Sequence, residues 1–224
     1  MALFVTVLLL SNLLSSAKII DTGWSLGPLD ILFDAGTLVF PISYIFGDVL
    51  TEVYGYKRAR RVIWTGFAAM ALMGLFVWVV GILPGESGWR EDVGQEAYNS
   101  ILGGISGLVV ASLTAYLIGE FLNSYVMAKM KVFDQGDWLV RRTIGSTLVG
   151  QAADTSIFFA IATLLGVFEP SLLLALIGTN YLFKVAIEIM FTPLTVRVVN
   201  TLKAVENEDY FDRETDFNPF SIRV

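Results

Sequence analysis

Six long apolar stretches, separated by short polar segments, dominate the pattern of hydrophobic and polar positions along the chain. A transmembrane helix needs about 20 predominantly apolar residues. The first stretch has no basic segment before it and no clear small-residue cleavage site, so we interpret it as a span and not as a signal peptide. The pattern predicts an all-α integral membrane protein with six transmembrane helices, at about Ala2–Ile20, Ile31–Leu50, Val62–Leu83, Asn99–Leu122, Thr143–Val167 and Leu172–Val199.

Lysine and arginine are distributed unevenly between the polar segments. The segments between spans two and three and between spans four and five are basic, whereas the alternate segments are mainly acidic. Because basic loops stay on the cytoplasmic side, this bias predicts a multi-pass protein of the cell (inner) membrane with both termini in the cytoplasm. Residues 1–202 then form the transmembrane domain. Residues 203–224, which contain six acids and three bases, form a solvated acidic cytoplasmic tail.

Composition agrees with this class and excludes several others. Of the 224 residues, 55% are hydrophobic and only 16% are charged, with a mean hydropathy of +0.67. The chain has no cysteine and no histidine, which excludes disulfides, thiolate and imidazole metal sites and serine–histidine triads. Acids outnumber bases by 21 to 15, which argues against nucleic-acid binding. We expect no metal and no cofactor, and the expected surroundings are the lipid bilayer.

The fourth span carries small residues at every fourth position, a pattern that lets another helix backbone approach closely. Packing inside the bundle is the favoured interpretation, and a homodimer through this face is the alternative. The row consists of Gly103, Gly107, Ala111, Ala115 and Gly119.

The second span is interrupted by polar residues, glycines and a proline. Pro41 removes a backbone donor, which predicts a kink. Irregular backbone at membrane depth is tolerated where it lines a cavity. This span is therefore a candidate wall of a binding site, and a kinked helix without a ligand is the alternative.

Ionisable and amide side chains recur on single faces of the last two spans, and intramembrane ionisable groups are by default candidates for function. Gln151 and Asp154 share one face of the fifth span, and Asn180, Lys184 and Glu188 share one face of the sixth. Helical rise places Asp154 and Lys184 at similar depth. Three interpretations stay open: a structural ion pair, a ligand site and a proton relay.

The chemistry of these groups suits recognition of a flat heterocycle. Carboxylates accept paired N–H donors, amides both donate and accept, and lysine donates to a carbonyl oxygen. Glu120 adds a carboxylate on the fourth span, and three aromatic side chains are candidates for stacking on a ring: Phe40, Tyr44 and Tyr116. A hydrolase fits less well, because the chain has no G-x-S-x-G motif, and no P-loop is present.

The stretch FPISYIFGDVLTEVYGYKRARR, from Phe40 to Arg61, resembles the hallmark of the VUT family, also called queuosine precursor transporters. SNLLSSAKII, GSTLVGQAADTSIFF and YLFKVAIEIMFTPL resemble its other blocks. The resemblance implies import of 7-deazaguanines such as preQ0 and preQ1 for tRNA queuosine modification. It also implies a fold similar to the substrate-binding subunits of energy-coupling-factor transporters. The resemblance further implies a role in the site for five matching positions: Asn12, Asp48, Glu52, Asp154 and Lys184.

The sequence therefore predicts a transporter for a purine-like base and not an enzyme. Three alternatives stay open. One is a capture subunit that requires a separate ATP-driven coupling complex. The others are an intramembrane enzyme, such as a small transferase, and a structural membrane protein without a ligand.

Overall fold

The computed structural model describes residues 1–26, 29–166 and 169–221, without the side chains at positions 16, 19, 22, 24–34, 37, 40, 41, 103–109 and 172. Helices account for most of this part of the chain. In chain order they are α1 (Ala2–Ala17), α2 (Phe40–Tyr54), α3 (Tyr56–Ile82), α4 (Ser87–Asp92), α5 (Gly94–Tyr98), α6 (Gly104–Phe133), α7 (Leu139–Leu164) and α8 (Leu173–Glu206). A π-helical turn, Asn99–Gly103, leads into α6, and short 3₁₀ turns cover Ala35–Leu38 and Pro170–Leu172.

The prediction of a helical membrane protein is confirmed. Among the described helices, α3, α7 and α8 are both long enough and apolar enough to cross a membrane. Each of the six predicted stretches contributes a helix to the bundle. α1 and α2 are shorter, at 16 and 15 residues, which corresponds to about 22–24 Å at the helical rise.

A β-hairpin between α1 and α2 was not predicted. Strands β1 (Ile19–Leu26) and β2 (Leu29–Asp34) pair antiparallel, with Ile19 opposite Asp34. The second predicted span, Ile31–Leu50, was therefore wrong at its start, because its first four residues belong to β2. The predicted kink was wrong as well: Pro41 lies in the first turn of α2, where its missing N–H would have no partner in any case.

The long helices alternate in direction. One end of the bundle contains the ends of α2, α6 and α8 and the starts of α3 and α7. Contacts to Glu52 show that these segments meet. The Glu52 carboxylate accepts hydrogen bonds from Arg142 and Lys203, and the Lys131 ammonium donates to the Glu52 backbone carbonyl. At the opposite end the short helices α4 and α5 fold over α3, where Tyr98 donates to the Val77 carbonyl oxygen at 2.8 Å.

The expectation of a solvated acidic tail was wrong for its central part. α8 continues to Glu206, past the predicted boundary, and the residues after it pack against the start of α3. Asp212 is buried and its carboxylate accepts a hydrogen bond from the Tyr56 backbone N–H at 2.9 Å. Arg60 is buried as well, and it donates to the carbonyl oxygens of Asp216 and Asn218. The tail is held because its acceptors meet donors in the basic first turns of α3.

The turn between α2 and α3 explains why a glycine stands at position 55, within the stretch from Phe40 to Arg61. Gly55 has φ +84°, a left-handed conformation that side chains rarely adopt. A Cβ at this position would lie 2.3 Å from the ring of Tyr210 in the tail. Gly55 is therefore needed both for the turn and for the seating of the tail.

Close packing of α6 on α7 confirms that the described part of the small-residue row, from Ala111 to Gly119, packs inside the bundle, whereas the surroundings of Gly103 and Gly107 lie outside what the structure describes. A Cβ on Gly119 would lie 2.8 Å from the Asp154 Cβ, and a Cβ on Gly150 would lie 2.8 Å from the Asn123 Cβ. Ala111 and Ala115 are fully buried. This contact brings the polar faces of the two helices together.

We expect Gly150→Ala to lower the stability of the folded protein. The new methyl group has no room beside Asn123 and the Gly119 carbonyl oxygen, and overpacking costs about 1–3 kcal/mol. Gly178→Ala in α8 is the matched control, because no atom of the described residues lies within 4 Å of its Cβ position. Helix propensity favours alanine in both variants. Thermal unfolding in detergent should show a lower midpoint for Gly150→Ala alone, and equal midpoints for the two variants would contradict the packing.

Candidate functional site

A cavity of about 180 Å³ lies between the six long helices. For comparison, an engineered apolar cavity of about 150 Å³ holds a benzene molecule, so this volume accommodates a small ring system. All six helices contribute side chains to its wall. Eight of the predicted site residues line it: Asn12, Tyr44, Tyr116, Glu120, Gln151, Asp154, Asn180 and Lys184.

Asp154 and Lys184 form an ion pair on the wall of the cavity, with 2.8 Å between the Lys184 Nζ and the Asp154 Oδ2. The side chains keep 22% and 26% of their surface exposed, so each is open to a molecule in the cavity. The predicted equal depth of the two residues is thus confirmed. Two interpretations from the sequence, a structural ion pair and a ligand site, are therefore compatible, because the two side chains pair with each other and also line the cavity.

Amide side chains supply further polar groups. The Gln151 Oε1 and the Asn123 Oδ1 are buried and have no hydrogen-bond partner among the described residues. Unsatisfied buried acceptors are costly, so a ligand that brings N–H donors would be favoured at these atoms. Asn180 donates to the Leu176 carbonyl oxygen, and Asn12 donates to the Leu8 carbonyl oxygen. These two bonds fix both side chains on their own helices.

Apolar and aromatic groups complete the wall. Phe158 and Phe159 meet edge to face at a centroid distance of 5.1 Å, and Met70 and Leu8 also line the cavity. Ser43 and Asn123 also line the cavity and were not among the predicted site residues. Asn123 lies one turn after Glu120 on α6, so the helical period could have predicted that both residues face the same side.

Four predicted site residues do not line the cavity as described. The side chain of Phe40 lies outside the described residues. Asp48 is buried next to the cavity, where it accepts a hydrogen bond from the Asn123 Nδ2 at 3.0 Å. Glu188 accepts a hydrogen bond from the Thr147 hydroxyl at 2.7 Å. Glu52 lies at the end of α2, within a separate group of charges.

This group, which we name the ionic cluster, holds the basic end of the bundle together. The fully buried Glu52 accepts two hydrogen bonds from the Arg142 guanidinium, both at 2.7 Å, and one from Lys203 at 2.5 Å. Two other acids complete it: Asp134 pairs with Arg142, and Asp209 of the tail pairs with Lys131 and Lys203. Three carboxylates thus face three cations.

The charge state of Asp209 reflects these contacts. Burial by itself would raise its pKa, but hydrogen bonds from Lys131 and Lys203 outweigh it, so the pKa lies below the usual value. Sequence reasoning missed the cluster because its members are up to about 150 positions apart. In the sequence, each of these bases was interpreted only as one of the cytoplasmic lysines and arginines that set the orientation of the spans.

Together, the helical bundle and its central polar cavity define a multi-pass membrane protein with an internal cavity of small-molecule size. The family model described as "Putative vitamin uptake transporter" matches residues 34–198. The chain belongs to this family.

Three curated relatives are similar over most of the chain. It is 31% identical over 159 residues to the "Probable queuosine precursor transporter" of Bacillus subtilis, covering 70% of this chain and 68% of the relative. It is 29% identical over 158 residues to the "Queuosine precursor transporter" of Escherichia coli, covering 70% and 67%. A Haemophilus influenzae relative with the "Probable" name is 29% identical over 171 residues, covering 75% and 68%. No solved structure matches the chain.

Proposed function

We propose that this protein is a transporter, and not an enzyme, that imports queuosine precursors for tRNA modification. Its substrates are 7-deazaguanines such as preQ0 and preQ1. One observation carries the proposal: in a chain 31% identical to a queuosine precursor transporter, an acid–base pair and two open amide acceptors line one internal cavity. A purine-like edge has N–H donors for Asp154 and the amides, and an oxygen that accepts from Lys184.

The residues proposed to hold the base are those on the cavity wall. Asp154, Gln151 and Asn123 accept from its N–H groups, and Lys184 donates to its oxygen. Tyr44 and Tyr116 border the same space, where aromatic rings stack on a flat ligand. Glu120 and Asn180 complete the polar wall, and Asn12 does so from α1.

Uptake in cells tests this function. Cells unable to make preQ0 and producing this protein should accumulate labelled preQ0 and preQ1, with labelled queuine as the third compound compared. Lys184→Met should reduce uptake, whereas Glu91→Gln on the exposed helix α4 is a control that should not. Uptake equal to that of cells without the protein, for all three compounds, would contradict the proposal.

Two further experiments address the alternatives. Copurification with a coupling complex, together with uptake that depends on it, would indicate a capture subunit. Chemical conversion of preQ0 or preQ1 by the purified protein would indicate an intramembrane enzyme. We propose transport by the chain itself, in a fold similar to the substrate-binding subunits of energy-coupling-factor transporters.

The topology proposed is six spans with both termini in the cytoplasm of the cell (inner) membrane. The ionic cluster supports it, because the ends of α2, α6 and α8 gather the basic residues at one end of the bundle. The small-residue face of α6 is occupied by α7 at Gly119, which favours packing inside the bundle over a homodimer through that face.

Cysteine labelling checks this topology, since the chain has no native cysteine. Glu91 and Gln135 are both exposed and lie at opposite ends of the bundle. A cysteine replacing Glu91 should react with a membrane-impermeant reagent added outside intact cells. A cysteine replacing Gln135 should react only after the cells are opened. Equal labelling of both from outside would overturn the six-span arrangement.

A further inference from the structure

Three buried carboxylates from three different helices lie on and behind the cavity wall. They are Asp48 on α2, Glu120 on α6 and Glu188 on α8. Glu120 approaches α2 at the residue before Asp48, because a Cβ on Gly47 would lie 3.2 Å from the Glu120 Oε2. We name these residues the carboxylate group.

Within the described part of the chain, this group forms no ion pair. None of the ion pairs that the described residues form includes Asp48, Glu120 or Glu188. Lys184, one turn before Glu188 on α8, pairs with Asp154, and Arg142 of α7 pairs with Glu52. Uncompensated charges inside a membrane bundle are costly. The other titratable groups that act on it are the acids Asp154 and Glu52 and the tyrosines Tyr44 and Tyr116.

Unpartnered oxygens point to what is missing. The Asp48 Oδ2 and the Glu188 Oε2 are buried and lack a hydrogen-bond partner within the described part of the chain. The neutral side chain of Asn123 also lacks a donor. Its amide donates to Asp48, but no described residue donates to its own buried Oδ1. These atoms are all acceptors. Hydrogen-bond donors are lacking, and a bound proton would supply one.

We propose that the carboxylate group is a proton-binding site that couples proton entry to substrate import, an inference that rests on the proposed transport function. A proton from the outer side adds to a carboxylate oxygen, forming an O–H bond, and leaves to the cytoplasm after the substrate is released. A proton needs only one oxygen. The described residues contain no cluster of three or more acids that could hold a metal ion.

Asn123 connects the proton site to the cavity. Its Nδ2 donates to the Asp48 Oδ1, and the same side chain lines the cavity. A proton on Asp48 would change which hydrogen bonds the amide makes, and hence what it offers to a ligand. By reciprocity, a ligand that engages Asn123 changes the proton affinity of Asp48 by the same factor. Substrate and proton binding are thereby linked.

Proteoliposomes test this coupling with labelled preQ0 as the probe. Exchange of preQ0, at equal concentration and equal pH on both sides, needs no driving force and reports transport alone. Accumulation driven by an acidic outside reports coupling. For one proton per substrate, wild type should accumulate preQ0 about tenfold for each unit of pH difference. Asp48→Asn and Glu188→Gln mimic the protonated state and should exchange preQ0 without accumulating it. Asp92→Asn on the exposed helix α4 is the matched control and should accumulate like wild type.

Each outcome decides a different question. Two results would overturn the proton site while leaving transport intact. In the first, wild type exchanges preQ0 and accumulates it under a sodium gradient but not under a pH gradient. In the second, wild type exchanges preQ0 but accumulates it under neither gradient. Accumulation by both variants at the wild-type level overturns the assignment to Asp48 and Glu188. Wild type without any exchange contradicts the transport function itself. The two neutral variants are independent, so failure of one to fold leaves the other as the test.

Discussion

Glu52→Gln is expected to destabilise the protein more than any other single change in a side chain at the basic end of the bundle. The Glu52 carboxylate is fully buried and accepts from Arg142 and Lys203. Removing its charge leaves those buried cations without their main partner. Breaking a buried ion pair in this way costs about 3–5 kcal/mol. Thermal unfolding in detergent should show a midpoint lower by several degrees.

Glu208→Gln is the matched control for this change. Glu208 pairs with Arg58 at 2.7 Å, but the two side chains are 35% and 53% exposed. Exposed ion pairs contribute about 0–1 kcal/mol, so its midpoint should stay near that of wild type. If the two glutamine variants unfolded at the same temperature, the ionic cluster would not stabilise the fold as inferred.

Asp154→Asn is expected to weaken ligand binding by about tenfold to a hundredfold. A hydrogen bond to a charged group contributes about 1.5–3 kcal/mol, and the amide that replaces the carboxylate reverses part of the donor pattern. The measurement is calorimetric titration of detergent-purified protein with preQ0. Asp92→Asn, an exposed change of the same kind, should bind like wild type.

A double variant separates recognition from charge balance. In Asp154→Asn combined with Lys184→Met, neither charge is left unpaired, because the 2.8 Å pair is removed as a whole. If Asp154 contacts the ligand, the double variant should still bind weakly while eluting as a folded protein. Near-wild-type affinity in the double variant would assign Asp154 to the ion pair alone.

Hydropathy predicted the helices because burial in lipid requires length and apolarity, which are properties of one continuous segment. It misplaced the start of the second span, since Ile31–Asp34 is apolar enough for a helix but pairs with β1. Strand pairing depends on the partner segment, which a hydropathy window does not contain. The same limit applies to the tail, whose acids are polar in sequence but bind donors far away in the chain, the Tyr56 backbone N–H and the Lys131 ammonium.

By itself, the sequence determined the membrane class, the helices and the facing pair Asp154 and Lys184, because helical period fixes which residues share a face. Tertiary structure alone decided which polar groups share the cavity and which do not. It drew Glu52 into the ionic cluster with Arg142 and Lys203, and it set Asp48 and Glu188 behind the cavity wall. The physical reason is that a buried charge takes its role from the partners around it, and those partners come from other helices.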